Sequence, residues 1–199
     1  MPTRVSRVEQ VERNRALVLD AARRVFLTRG YAGATVEAIA EEAGFSRGVV
    51  YSQFTGKADM FFALLEQRMA ERAEHARTIL DTTVGVEGMR RLVQDLARMT
   101  AEARSWGRLV LEFRLVAARE PKLNRRYAEL HEETLRRLAD SLEQLLRADE
   151  LTTALPSREV AEILMYIDAG NQLERAAGTN RLDAAAAMED ILIRLVTPL

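Results

Sequence analysis

The stretch "TVEAIAEEAGFSRGVVYSQFTGKADMF", residues 35–61, gives the clearest indication of the fold. Thr35 can act as the N-cap of a helix with an apolar face, and Gly44 can end that helix after about two turns. Ser46 is a second N-cap signal, for a short helix that runs through Tyr51. Two short helices joined by a tight turn predict a helix-turn-helix, a motif whose second helix can enter the major groove of DNA.

A longer helix is predicted before this stretch, over residues 9–29. Its apolar residues recur at three- and four-residue intervals and therefore share one face. They are Val18, Ala21, Ala22, Val25 and Phe26. We expect Gly30 to end this helix, because glycine readily adopts the left-handed conformation found just past helix C-termini. Ile39, Val50 and Phe54 of the helix-turn-helix region can then pack against helix one and complete a three-helix core.

Positive charge is concentrated at the front of the chain. The formal net charge is −1, so the protein as a whole is not a strongly basic nucleic-acid binder. Within residues 1–30 the basic residues nevertheless outnumber the acidic ones; they are Arg4, Arg7, Arg13, Arg15, Arg23, Arg24 and Arg29, against Glu9, Glu12 and Asp20. Arg4 and Arg7 either extend an arm toward the minor groove or belong to a frayed basic terminus.

The remaining chain also predicts helices, and no strand pattern competes with them. The predicted spans are 58–81, 86–104, 106–119, 122–148, 157–177 and 183–197, with boundaries marked by residues 82–88, Gly107, Pro121 and Pro156. The predicted fold class is all-α. Residues 1–57 form a helix-turn-helix domain in this interpretation, and residues 58–199 form a larger helical domain.

Two of these helices have more apolar surface than one chain can cover. The helix over 122–148 has a single inner stripe of Leu135, Leu138, Leu142, Leu145 and Leu146. The helix over 157–177 is instead apolar around much of its circumference, and the one over 183–197 is rich in small and aliphatic residues. Such helices need burial on two sides. We therefore predict a homodimer in which these two helices of each copy form a four-helix interface.

Composition narrows the chemistry and the compartment. The chain of 199 residues is 48% hydrophobic and 30% charged, as in a soluble globular protein. It has no cysteine, which excludes disulfides, thiolate zinc sites and cysteine nucleophiles. The N-terminus lacks the apolar core of a signal peptide, and no apolar run approaches the roughly 18 residues of a spanning helix. We expect a cytoplasmic protein without membrane segments, metal or cofactor.

Catalytic motifs are not found in the sequence. The Gly-Lys pair at Gly56 and Lys57 lacks both the glycine spacing and the Ser or Thr of a phosphate-binding loop. The segment "HEETL" at His131 lacks the second histidine of a zinc-protease helix, and no serine elbow is present. The sequence therefore gives no candidate catalytic residue.

Residues 9–62 resemble the tetracycline-repressor (TetR) family of bacterial transcription regulators. The resemblance rests on many positions in one register within "LDAARRVFLTRGYAGATVEAIAEEAGFSRGVVYSQFTGKADMF". They include Phe26, Gly30, Tyr31, Thr35, Val36, Ile39, Ala40, Ala43, Gly44, Ser46, Gly48, Tyr51, Phe54 and Lys57. Beyond this first third, the chain is similar to the family only in length and helix count.

The resemblance implies a DNA interface in which phosphate contacts give position and base contacts give specificity. Thr35, Tyr51 and Lys57 would contact phosphates. Ser46, Arg47, Gly48 and Val49 would face the bases, with the Arg47 guanidinium available to a guanine. Taken alone, Thr35 and Ser46 are better interpreted as plain helix caps, although a cap and a phosphate contact can coexist. Gln53 stands where the family often has histidine, so it can donate to a phosphate but adds no charge.

The resemblance also implies a ligand cavity in the second domain, for an unknown small-molecule effector. A cavity usually combines aromatic side chains with a few polar anchors. The candidates are His75, Met99, Trp106, Phe113, Arg114 and Tyr127. Each can also be read as an ordinary core or surface residue, and Arg114 as the partner of Glu112 or Glu120.

Together, the motif and the resemblance predict a ligand-responsive DNA-binding regulator. We expect a repressor that binds a palindromic operator as a homodimer and is released by its effector. One short helix reads too few base pairs, so two copies about one helical turn apart are needed. A transcriptional activator of the same fold remains an alternative. A helical adaptor without specific DNA binding is a second alternative, which salt-dependent DNA affinity would separate from the first two.

Overall fold

The structure is a computed structural model that describes residues 6–97, 101–179, 181 and 183–198. The chain divides into two compact units, the first up to Arg68 and the second from Met69 onward. This division falls inside the helix Lys57–Leu80. The domain boundary predicted between residues 57 and 58 falls at the beginning of that helix, whereas the two compact units meet eleven residues later. The helix therefore belongs to both units.

The first unit contains three helices and the beginning of a fourth. They are α1 (Arg7–Gly33), α2 (Val36–Ala43), α3 (Arg47–Tyr51) and α4 (Lys57–Leu80). α1 begins two residues before the predicted start because Ser6 and Glu9 form a capping box. The Ser6 hydroxyl accepts a hydrogen bond from the Glu9 N–H, and the Glu9 carboxylate accepts one from the Ser6 N–H at 2.7 Å.

Gly30 interrupts α1 but does not end it. Its φ of 70° and ψ of 174° lie outside the helical region and are accessible mainly to glycine. Its φ is positive as predicted, but its ψ is extended and not left-handed helical, and the predicted end of the helix is wrong because one further turn follows to Gly33. The turn brings Tyr31 back onto the core, where its ring centroid lies 5.2 Å from that of Phe61.

The core of the first unit follows the predicted apolar face of α1. All five predicted residues are buried; they are Val18, Ala21, Ala22, Val25 and Phe26. Ile39, Val50 and Phe54 are buried as expected for a helix-turn-helix that uses α1 as its support. A surface contact also joins the helices, since the Arg24 guanidinium of α1 donates to Glu42 of α2 at 2.7 Å.

In the second unit the described residues form the rest of α4, five more helices and a small β-ribbon. The helices are α5 (Gly85–Ala97), α6 (Ala101–Ala117), α7 (Pro121–Ala148), α8 (Ser157–Ala177) and α9 (Ala184–Leu195). Pro121 occupies the first turn of α7, where the missing N–H costs no helical hydrogen bond. The predicted boundary at Gly107 is wrong, since Gly107 lies inside α6.

Two short strands correct the expectation that the chain has none. β1 (Leu151–Thr153) and β2 (Val196–Pro198) pair antiparallel, with Thr152 opposite Thr197. Strands of three residues are too short to give an alternating pattern of apolar and polar residues. No further strand occurs in the described residues, and the predicted all-α class holds.

The second unit buries its apolar residues between α5, α7, α8 and α9. Four of the five residues of the predicted stripe on α7 are buried, and the fifth, Leu138, is partly buried against the same cluster; the four are Leu135, Leu142, Leu145 and Leu146. They meet Met89, Leu92 and Val93 of α5, Val160, Ala161 and Leu164 of α8, and Met188 and Leu192 of α9. None of the described helices is both long and apolar enough to cross a membrane.

Candidate nucleic-acid interface and ligand region

Both N-caps predicted for the helix-turn-helix are present. The Thr35 hydroxyl accepts a hydrogen bond from the Ala38 N–H at 3.1 Å, and the Ser46 hydroxyl accepts one from the Val49 N–H at 3.4 Å. Gly44 ends α2 in the left-handed conformation, with φ 70° and ψ 25°. Because the turn is fixed at both ends, α2 and α3 hold a defined relative orientation.

The exposed side of α3 carries the side chains predicted to read bases. Val50 points into the core and is fully buried, so the residues before it face outward. Ser46, Arg47 and Gly48 are exposed, and Val49 is half-buried. A methyl group added at Gly48 would approach only the Ser46 hydroxyl, at 3.8 Å. The fold therefore does not require glycine at this position.

Arg47 is held by an acidic residue of α2. Its guanidinium Nη1 lies 3.2 Å from Oε1 of Glu37, and 67% of its side chain is exposed. Hydrogen bonds from its own backbone N–H and then from Arg47 hold the pKa of Glu37 below its ordinary value. The pair is solvent-exposed, where such contacts are weak, so Arg47 can exchange Glu37 for another partner. Sequence reasoning did not identify Glu37.

The turn after α3 is held from α1 by Arg15. Its Nη1 donates to the backbone oxygen of Gln53 at 3.0 Å, and its guanidinium carbon lies 4.1 Å from the centroid of the Phe54 ring. The Gln53 side-chain oxygen Oε1 is buried and has no hydrogen-bond partner among the described residues. Tyr51, by contrast, is 54% exposed and free to meet a ligand at the surface.

Lys57 is partly buried, and its ammonium points toward the end of α1. Its ammonium donates to the backbone oxygens of Tyr31, Ala32 and Ala34, at 2.9, 3.4 and 3.0 Å. It also lies 4.7 Å from the centroid of the Tyr31 ring. Three N–H donors with three carbonyl acceptors leave this ammonium fully hydrogen-bonded, an arrangement that the sequence did not predict.

The structure describes one of the two arginines proposed for an N-terminal arm. Arg7 is the first residue of α1 and is exposed, so it does not belong to an extended arm. Arg4 lies outside the described residues.

Three of the predicted ligand-binding residues lie together in the second unit. The rings of Phe113 on α6 and Tyr127 on α7 have centroids 6.0 Å apart, and the Arg114 guanidinium carbon is 5.6 Å from the Tyr127 ring. Trp106 is buried nearer the beginning of α6. His75 is mostly exposed on α4, and its Nε2 lies 2.9 Å from Asp95 of α5. Met99 lies outside the described residues.

His131 joins this cluster, although sequence reasoning considered it only as an incomplete zinc ligand. Its ring stacks on Tyr127 at 6.0 Å with an interplanar angle of 22°. Burial, and then the nearby Arg114 charge, lower the pKa of His131 from its ordinary value. Burial also raises the pKa of the Tyr127 phenol. The spacing of Tyr127 and His131, four residues apart on one helix, was the available signal.

A second polar group lies on α8. The Gln172 side-chain N–H donates to the Asp168 carboxylate at 2.6 Å, and burial raises the pKa of Asp168. The Gln172 oxygen occupies the space beside Gly107, where an added Cβ would lie 1.4 Å from it. Glycine inside α6 therefore makes room for a polar side chain of α8. No group of three or more acidic or histidine side chains suited to a metal occurs in the described ranges.

Known proteins match this chain over its beginning and over its whole fold. The family profile described as "Bacterial regulatory proteins, tetR family" matches residues 18–64, which include α2 and α3. The HTH-type transcriptional repressor Rv1474c of Mycobacterium tuberculosis is 26% identical over 88% of this chain and 89% of that protein. The HTH-type transcriptional repressor AcnR of Corynebacterium diphtheriae is 29% identical over 60% of this chain.

The matched parts cover 58%, 43% and 43% of the AcnR repressors from three Corynebacterium species, so the chain spans about half the length of these curated relatives. Among solved structures, FadR of Bacillus subtilis in complex with stearoyl-CoA superposes with a TM-score of 0.74 over 92% of this chain and 98% of that one, at 20% identity. This likeness concerns the fold. The match at the helix-turn-helix shows that residues 18–64 are a domain of the kind found in the tetR family of bacterial regulatory proteins.

Proposed function

We propose that the protein is a cytoplasmic transcriptional repressor that binds a palindromic operator as a homodimer and is released by a small-molecule effector. The observation that carries this proposal is the outward-facing first turn of α3, with Arg47 exposed and Val50 anchored in the core. A helix fixed on one side and exposed on the other can enter the major groove without refolding.

Arg47 is the residue that we expect to read a base. Its guanidinium can donate two hydrogen bonds to the O6 and N7 atoms of guanine, and such a pair gives about 1–3 kcal/mol of discrimination. In the free protein it contacts Glu37, at 3.2 Å. Exchange of this exposed contact for guanine costs little. Val49 is placed to touch a thymine methyl group, and Gly48 allows close approach of the backbone.

Phosphate contacts would set the position of α3 on the duplex. The Thr35 and Ser46 hydroxyls cap their helices by accepting hydrogen bonds, and each keeps its O–H as a donor for a phosphate oxygen. The exposed phenol of Tyr51 can add a third contact. The Gln53 amide can donate to a phosphate only if its buried oxygen gains a hydrogen-bond partner. These contacts give affinity in proportion to phosphate charge and carry no sequence information themselves.

The second unit would supply dimer formation and control. α8 and α9 expose large apolar side chains, among them Tyr166, Leu173, Ile191 and Ile193. We propose the cluster of Phe113, Arg114 and Tyr127, with Trp106 nearby on the same helix, as the effector region. FadR of Bacillus subtilis, which shares this fold, binds stearoyl-CoA. A coupling of about 1–3 kcal/mol between effector and operator would weaken DNA binding by roughly 5–150-fold.

The test is fluorescence anisotropy of the purified protein with DNA from upstream of its own coding sequence, against a scrambled duplex, over a salt series. We expect tighter binding to the upstream duplex, with an affinity that falls as salt rises. Arg47→Ala should weaken operator binding by roughly 5–150-fold for each half-site and leave binding to the scrambled duplex little changed.

The matched control is Arg147→Ala, because Arg147 is similarly exposed but lies at the end of α7 in the second unit. It should leave both affinities unchanged. Absence of binding to either duplex at low salt would refute the proposal and favour the adaptor interpretation. Transcription from the upstream region with and without the protein then separates a repressor from an activator.

A further inference from the structure

The Lys57 ammonium is surrounded by main-chain oxygens of one short segment. Tyr31 and Ala32 belong to the last turn of α1, and Ala34 directly precedes the Thr35 cap of α2. Carbonyls in the last turn of a helix lack partners within the helix. The three oxygens lie 2.9, 3.4 and 3.0 Å from Nζ, which satisfies all three N–H bonds of the side chain. One side chain therefore connects the beginning of α4 to the entrance of α2.

The charge of Lys57 is unfavourable at its position in α4. It is the first residue of α4, and a positive charge at a helix N-terminus is unfavourable because the helix dipole is positive there. Local preference would favour an acidic side chain, such as that of Asp59 in the same turn. A residue that violates a local preference indicates a requirement elsewhere in the structure. Here the requirement is the set of carbonyl oxygens at the end of α1.

The choice of lysine also fits this set of acceptors. Lys57 and Lys122 are the only lysines among the 29 basic residues of the chain, and the others are arginines. An ammonium directs three N–H bonds from a single compact nitrogen, whereas a guanidinium is planar and larger. Arginine would serve a phosphate at least as well, because it can bind two phosphate oxygens at once. A phosphate contact alone therefore does not explain lysine at this position.

We propose that Lys57 is a positioning residue, which orients α2 and α3 for DNA by fixing the α1–α2 connection to the first turn of α4, and that it contributes no phosphate contact. This inference rests on the proposed DNA-binding function.

The test compares Lys57→Met and Lys57→Arg with the wild-type protein in the operator titration over a salt series. Lys122→Met is the matched control, since Lys122 is exposed in the first turn of α7. Circular dichroism establishes that each variant is folded at the titration temperature. Loss of a phosphate contact lowers the slope of log affinity against log salt by about 0.9 per site, hence by about 2 for a dimer.

We expect Lys57→Met to bind the operator about tenfold or more weakly at every salt concentration, with the wild-type slope. Lys57→Arg should also be weakened despite its conserved charge, and Lys122→Met should match the wild type. A slope reduced by about 2, together with full affinity in Lys57→Arg, would overturn the inference in favour of a phosphate contact. Wild-type affinity in both variants would overturn it as well. If the wild-type protein itself shows no operator preference, the proposed function fails instead.

Discussion

At the level of single residues, long cationic side chains stabilise the turns around the helix-turn-helix. Arg15 holds the turn after α3 through the Gln53 carbonyl, and Lys57 holds the turn before α2 through three carbonyls. Each also lies against an aromatic ring, Phe54 or Tyr31, which adds a cation–π attraction. The arginine proposed to read bases, Arg47, contacts the exposed carboxylate of Glu37. The basic residues of this unit therefore differ in their contacts, since Arg15 and Lys57 bind main-chain oxygens and Arg47 binds an exposed carboxylate.

His131 predicts a pH dependence of stability at the same scale. Burial and the Arg114 charge lower its folded-state pKa below the ordinary value of 6.5. Between the folded and unfolded pKa values the unfolded chain binds more protons, so the free energy of unfolding rises with pH in that window. The contribution is complete above about pH 6.5 and is lost as the pH falls from there toward the folded-state pKa.

The measurement is urea unfolding of the wild type and His131→Phe at about pH 7.5 and about pH 5.5, followed by circular dichroism. Phenylalanine keeps an aromatic ring beside Tyr127 but cannot titrate. We expect the wild type to lose more stability on acidification than the variant does. An NMR titration that gives His131 a pKa at or above 6.5 in the folded protein would contradict the prediction.

At the level of elements, glycines inside helices set the distance between neighbouring helices. Gly88 on α5 faces α7, where a Cβ would lie 2.3 Å from a methyl carbon of Leu145 and 3.2 Å from the Thr83 hydroxyl. Leu145 is buried, so it has little freedom to move away. Gly88→Ala should destabilise the protein, because overpacking costs about 1–3 kcal/mol and outweighs the gain of up to about 1 kcal/mol in helix propensity.

A Leu145→Ala background tests whether the effect of Gly88→Ala comes from the contact between residues 88 and 145. In a Leu145→Ala variant the added methyl group has room, so Gly88→Ala should then stabilise the protein by up to about 1 kcal/mol. The free energies of unfolding of the four proteins in this cycle can be measured by urea denaturation. An equal effect of Gly88→Ala in both backgrounds would show that the approach of α5 to α7 does not depend on glycine.

The elements that the sequence predicted well are those with local signals. Thr35, Ser46 and Gly44 act on amides and carbonyls within a few residues of themselves, so caps and turn could be read directly. The apolar faces of α1 and α7 follow from spacing within one helix. These signals were enough to predict the helix-turn-helix and the surface of α3 that faces outward.

The failures concern interactions between distant parts of the chain. Gly107 looked like a helix end, but it makes room for Gln172, a residue of α8. The β-ribbon pairs β1 with β2, which lies more than 40 residues later at the C-terminal end of the described chain. Neither strand is long enough to show an alternating apolar pattern. The hydrogen-bond partners of Lys57 were missed for the same reason, because they are main-chain oxygens about 25 residues earlier, which have no signature in the sequence.

At the level of the whole molecule, α8 and α9 have apolar surface beyond what their own unit covers. One side of α8 is buried through Val160, Ala161 and Leu164. On its other side Tyr166 and Leu173 are each 58% exposed, and Ile191 and Ile193 of α9 are 36% and 40% exposed. Burial of this surface against the same surface of a second copy would give the closed, two-fold symmetric dimer that we propose. A dimer would also place two α3 helices on one operator.

Leu173→Glu should therefore dissociate the dimer. Loss of a buried leucine costs about 1.5–3 kcal/mol, and two-fold symmetry brings the change into the interface twice. The dimer dissociation constant should rise about 100-fold or more, as measured by sedimentation equilibrium, and operator affinity should fall with it. Leu115→Glu is the matched control, since Leu115 is 73% exposed on α6 and should leave the association unchanged. A Leu173→Glu protein that sediments as the wild-type dimer would place the interface elsewhere, and a wild-type monomer would remove the basis for a palindromic operator.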